Sequence, residues 1–174
     1  LINASVNTNN VINNVTSSVV VNGGTNVGGI VGRLNTGTLT GSTSSGAVTG
    51  VNNTGGMVGR LYYGALTGSV STSAVTGTSN TTGGLVGYLE HGSSLLNTSS
   101  HTTGLVKGTS YVGGLIGQSQ GIVGEAVSNS TPTYTTFASS NVEASGSYVG
   151  GLIGSASGTV TNSSVSGTVT SGCA

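Results

Sequence analysis

The chain has 174 residues, a formal net charge of zero and only 3% charged residues. With no Asp, three acids (Glu90, Glu125 and Glu143) and two histidines ten apart (His91 and His101), it offers no clustered ligand set for a metal. It has no basic footprint for nucleic acid or an anionic membrane, and no apolar run near the ~20 residues of a membrane helix.

Abundant Val and Thr with so little charge also argue against disorder, which goes with the opposite composition. Taken in order, residues 1–25 form a weak coil whose "NNVTSSVVVN" aligns with "TGSTSSGAVTG" of the next. Full coils follow at 26–52, 53–80, 81–110, 111–147 and 148–174. Each opens on a glycine pair, at 28/29, 55/56, 83/84, 113/114 and 150/151, in steps of 27, 28, 30 and 37. Self-similarity at such a period marks a repeat architecture. The step of 37 places an insertion around "NSTPTYTTF", which contains the only Pro and the only Phe. Each coil holds three β-like segments, such as "GGIVGRL", "GTLTGS" and "GAVTG", with alternation at period two. The expected fold is all-β: a single β-solenoid domain of about six coils of ~28 residues, three short strands per coil. Stacked at ~4.8 Å per coil, it would be roughly 29 Å long.

The recurring phrase G-G-L-V-G sets the expected columns. Position three (Ile30, Met57, Leu85, Leu115, Leu152) forms an apolar core column. Position five (Gly32, Gly59, Gly87, Gly117, Gly154) marks a close approach, expected to come from a large side chain of the same coil. Strict alternation sends position four (Val31, Val58, Val86, Ile116, Ile153) outward, beside Arg33, Arg60, Tyr88, Gln118 and Ser155. Two readings stay open there: a bulge at the glycine pair rotates the strand, or an apolar ridge is exposed as a lateral contact surface.

"YVGGLIG", present letter for letter at 111–117 and 148–154, resembles the GLUG repeat of large bacterial surface proteins, among them adhesin-like proteins and some IgA-cleaving peptidases. The G-L-x-G core lies at Gly84–Gly87, Gly114–Gly117 and Gly151–Gly154, and reads G-I-V-G at Gly29–Gly32 and G-M-V-G at Gly56–Gly59. The resemblance covers residues 26–174 well and 1–25 poorly. It implies an extracellular or cell-surface β-solenoid stalk or fibre, with no catalytic residue.

The termini suggest continuation. Joined head to tail, Cys173 and Ala174 followed by Leu1, Ile2 and Asn3 complete a sequence close to G-G-L-I-G. The chain, which opens without Met or a visible signal peptide, therefore reads as one processed unit of a longer array or homopolymer, its partner being itself. An open coil end would otherwise leave an unpaired strand edge. The alternative is that flanking caps lie outside this stretch. Cys173 is a small residue of the last strand, or a link to another chain in an oxidising compartment.

Catalysis finds no support. Glu90 and His91 are adjacent, so on a strand they face opposite ways, and a Ser–His pairing carries no signal in so serine-rich a chain. No cofactor is implied. Sequons for N-linked sugar stand at Asn3, Asn14, Asn52, Asn80, Asn97, Asn129 and Asn162. Two readings apply: a column of covalent glycans that keeps an almost uncharged rod soluble, or asparagines chosen for left-handed turns. The leading function is a structural, glycosylated extracellular fibre unit. An adhesin-type module would instead use the loop at 125–145, with Tyr134 and Phe137 stacking on a receptor sugar. An ice-binding face is the third reading, drawn from Thr-x-Thr at 38–40, 133–135, 159–161 and 168–170, but Ala65 and Ser94 interrupt the first Thr column.

Overall fold

In a computed structural model the chain winds as a parallel β-solenoid. The structure describes residues 2–4, 10–96, 100–124 and 136–172, with backbone alone at 2–4 and 100–102. Every ladder among the described residues is parallel and joins one coil to the next.

Four sheets wrap the axis. The long sheet has ten strands on six levels: Ile2–Ala4 with Asn10–Asn13, Val31–Thr40, Val58–Thr67, Val86–Leu89 with Ser94–Leu96, Ile116–Ser119 with Ile122–Val123, and Ile153–Ala156 with Thr159–Val160. A serine sheet follows (Thr16–Ser17, Thr43–Ser44, Val70–Ser71, Ser100–Thr102, Thr136–Ala138, Ser163–Val165). A valine sheet comes next (Val21–Asn22, Val48–Gly50, Val75–Gly77, Val106–Gly108, Val142–Ala144, Val169–Ser171). A glycine sheet of five strands (Thr25–Gly28, Asn52–Gly55, Asn80–Gly83, Ser110–Gly113, Val149–Gly150) leads back to the long sheet. Five turns therefore close through all four sheets, and three sheets carry a sixth level.

The β-solenoid expected from the period is the observed fold, but each coil crosses four sheets, not three. The added strands read Thr-Asn-Val-Gly or Asn-Asn-Thr-Gly, whose composition favours turns. The ladder to the coils on either side holds them extended. The insertion falls at the corner between Val123 and Thr136, mostly outside the described residues.

Register builds the core. Leu34, Leu61 and Leu89 stack in one column of the long sheet, and Leu39, Leu66, Leu95 and Val123 in another, all fully buried. Each such side chain contributes about 2 kcal/mol. The corner residues Ile30, Met57, Leu85 and Leu115 join the same cluster. A second cluster, Val106, Val112, Val142 and Ala144, fills the space between the valine and glycine sheets.

Val31, Val58, Val86 and Ile116 are also fully buried, so no outward ridge exists at these positions. The backbone shows why. The amides of Ile30 and Val31 both donate to Met57 O at 3.0 Å. Met57 and Val58 donate in the same way to Leu85 O, and Leu85 and Val86 to Leu115 O. Two successive amides aimed at one carbonyl break the period-two alternation, so motif positions three and four both turn inward. The rotation of the strand at the glycine pair is the reading that holds.

The visitor at motif position five is backbone, not a large side chain. A Cβ on Gly59 would lie 2.5 Å from both Asn26 C and Val27 N, and one on Gly87 would lie 2.6 Å from Asn53 C and Thr54 N. Gly117 and Gly154 meet the Thr81–Thr82 and Tyr111–Val112 peptides in the same way. The glycine sheet thus lies directly on the first half of the long sheet. Its other side packs on the valine sheet, where Val27 Cγ2 would come within 2.9 Å of a Cβ on Gly50.

Candidate functional site

Where the glycine sheet departs from the long sheet, each coil places one residue in the left-handed region: Asn26 (φ 55°), Asn53 (49°), Thr81 (46°), Tyr111 (52°) and Tyr148 (60°). This conformation costs an L-residue roughly 1–2 kcal/mol, least for Asn. Side-chain contacts run up the column. Asn53 Nδ2 donates to Asn26 Oδ1 at 2.8 Å, and Thr81 Oγ1 donates to Asn53 Oδ1 at 2.6 Å. Above them the rings of Tyr111 and Tyr148 stack at 4.6 Å between centroids, 4° from parallel. The ring spacing is that of adjacent strands, so the solenoid itself sets the stack.

The long sheet supplies the opposite wall through Arg60, Tyr88 and Gln118, which the register aligns in one column with Arg33 and Ser155. Between the walls lies an open groove of about 660 Å³, lined by Asn53, Asn80, Arg60, Tyr88, Tyr111 and Gln118 among others. The Arg60 guanidinium bonds Glu90 Oε1 through Nε and Nη2, and its Cζ sits 5.9 Å from the Tyr88 ring centroid. Glu90 is buried, so Arg60 compensates a charge that would otherwise be costly. Burial first, and then the Glu90 carboxylate, push the Tyr88 phenol above its ordinary value, with Arg60 acting the other way. With Arg60 paired to Glu90, the groove lining is neutral on balance and rich in amide and aromatic surface; Arg33, in the same column, lies outside it. The lining can hydrogen-bond and stack.

His91 does not lie on a strand: it sits exposed in a turn closed by Ser93 N donating to Glu90 O at 3.1 Å. The opposite-face argument for Glu90 and His91 is replaced by this turn. No group of three His, Cys, Asp or Glu that could hold a metal occurs among the described residues.

The sequence-predicted residues scatter. Asn14 (φ 56°) and Asn162 (φ 44°) occupy the same left-handed corner as Gly41 and Gly68 (both 57°), which accounts for asparagine there on backbone grounds. Asn52 and Asn80 open glycine-sheet strands and line the groove. The side chain of Asn3, together with Asn97 and Asn129, lies outside the described residues, as do Leu1, Cys173 and Ala174. Ile2 and Asn3 are placed by backbone, on a strand in register with Val31 and Arg33. Tyr134 is outside the description, and Phe137 is half-buried on the serine sheet in register with His101 and Ser164. The motif glycines of the G-L-x-G core serve the corner and the close packing described above. The sequence placed Tyr88 in the outward column with Arg60 and Gln118 but did not single out Tyr111 or the Tyr148 stacked on it, although these two open the identical copies of "YVGGLIG".

A model of the GLUG motif matches residues 145–170. Searches of curated proteins and of solved structures find no match. The motif and the solenoid fold are together consistent with a structural or adhesin-like surface protein.

Proposed function

We propose that this chain, a GLUG-repeat β-solenoid, is a structural and non-enzymatic length of an extracellular or cell-surface fibre or stalk, continued head to tail by further coils. One observation carries the reading: the same columns run in register through every level, so any coil is a template for the next. The uppermost described coil keeps those columns. Val165 and Val169 are 53% and 48% exposed there, whereas Ala138 and Val142 beneath them are 0% and 1%. A coil of the same chain or of a second copy fits on that level, pairing its strand edge and covering the two valines.

Covalent sugar belongs to the same reading. Asn80 is exposed and Asn52 half-exposed at the rim of the groove, and hydrated glycans would keep so uncharged a rod from lateral association. The ice-binding alternative has less support. In the structure its first Thr column reads Val11, Thr38, Ala65, Ser94, Ile122 and Thr159, which is not a regular Thr array.

Cryo-electron microscopy of the native material tests the proposal. Continuous filaments with an axial repeat of ~4.8 Å, carrying extra density on Asn side chains, are the expected result. Short, discrete, bare rods would overturn both the polymer and its sugar coat.

A further inference from the structure

We propose that the groove between the glycine and long sheets binds an extended, neutral, β-linked oligosaccharide laid along the solenoid axis. Three observations carry this, and none depends on whether the rods polymerise. The first is the chemistry of the walls. Gln118 and, in a chain that carries no sugar there, Asn80 line the groove, and their side-chain amides make no hydrogen bond to any described residue. Each offers a donor and an acceptor together, the pair that a sugar diol or acetamido group satisfies. Tyr88 and Tyr111, the latter with one face covered by Tyr148, add aromatic edges and hydroxyls to the walls, while Arg60, the guanidinium that lines the groove, is held by Glu90. Among the residues that line the groove no cation is left without a carboxylate partner; Arg33 lies outside that lining.

The second observation is length. The groove runs from Thr25 on the first glycine-sheet strand to Tyr111 on the fourth, three coil steps or about 14 Å. The third is period. Sugars in an extended β-1,4 chain face alternately to either side, and the chain repeats every second sugar at close to two strand spacings, so every second coil can meet a sugar in the same orientation. An α-1,4 glucan coils and cannot keep that register.

The test uses unglycosylated chain from a bacterial cytoplasm and titrates it calorimetrically with cellohexaose, chitohexaose and maltohexaose. Substitutions are taken from the protein's own columns so that the fold is kept. Tyr111→Asn matches Asn26 and Asn53, and Tyr88→Ser matches Ser155. Tyr63→Thr, matching Thr36 in the next column of left-handed residues, lies outside the groove and serves as the control. The expected result is binding of at least one β-1,4 hexasaccharide but not maltohexaose. Tyr111→Asn and Tyr88→Ser should each weaken it tenfold or more while still unfolding in one cooperative transition well above the titration temperature, and Tyr63→Thr should leave it intact. Failure of both β-1,4 probes to bind at millimolar concentration would overturn the proposal. So would equal binding of maltohexaose, or affinity that survives both groove substitutions.

Discussion

Gly87 lies against the peptide that joins Asn53 to Thr54, so closely that a Cβ would stand 2.6 Å from both Asn53 C and Thr54 N. The last glycine of the GLUG phrase is therefore a spacing device between two sheets. Its backbone has no left-handed requirement, so the cost of a side chain there is purely steric. Gly87→Ala is expected to destabilise the solenoid by about 3 kcal/mol or more, at the upper end of overpacking effects, because backbone on both sides cannot move aside. Urea unfolding of the two proteins checks it. A loss below ~1 kcal/mol would mean that the glycine sheet can lift off the long sheet without cost.

Much of this was legible beforehand. The period fixed the coils, and the Leu column at motif position three was assigned to the core, where Met57, Leu85 and Leu115 lie fully buried. What alternation could not supply was the corner. Period two assumes that successive amides point in opposite directions, yet those of Met57 and Val58 share Leu85 O, a pattern set by the neighbouring coil and not by local sequence. The glycine sheet was hidden for a similar reason: Asn52–Gly55 has turn composition and becomes a strand only between Thr25–Gly28 and Asn80–Gly83. The tyrosine groove needs the hidden sheet, since that sheet is one of its walls; the other, the column of Arg60, Tyr88 and Gln118, faces outward as alternation placed it.

Thr82 is fully buried, and its Oγ1 has no hydrogen-bond partner; Thr54, its register partner, is in the same state. Val27, Val112 and Val149 hold the equivalent place in the other coils. A buried hydroxyl without a partner costs about 1–3 kcal/mol, and valine has nearly the same shape. Thr82→Val is therefore expected to stabilise the protein by about 1 kcal/mol, a rise of roughly 2–4 °C in Tm for a chain of this size. Because Thr54 and Thr82 touch in register, the double change Thr54→Val with Thr82→Val should depart from additivity. A fall in Tm for the single variant would show that the hydroxyl is satisfied by bound water.

Asn53 combines two roles that substitution can separate. Its amide links Asn26 and Thr81, through bonds of 2.8 and 2.6 Å, and its backbone stands at φ 49°. Asn53→Ala removes both side-chain bonds, each worth about 1 kcal/mol net, and replaces asparagine, which tolerates the left-handed region, by alanine, which does not, at a further ~1 kcal/mol. The expected loss is about 2–3 kcal/mol. Asn53→Gly removes the same bonds but adopts the conformation freely, so it should unfold at a higher urea concentration than Asn53→Ala, by the equivalent of about 1 kcal/mol. If the two variants melt together, the left-handed column carries no conformational cost. The recurrence of asparagine at 26 and 53 would then rest on the amide ladder alone. If Gly and wild type melt together, the ladder contributes nothing, and backbone conformation by itself selects the residue.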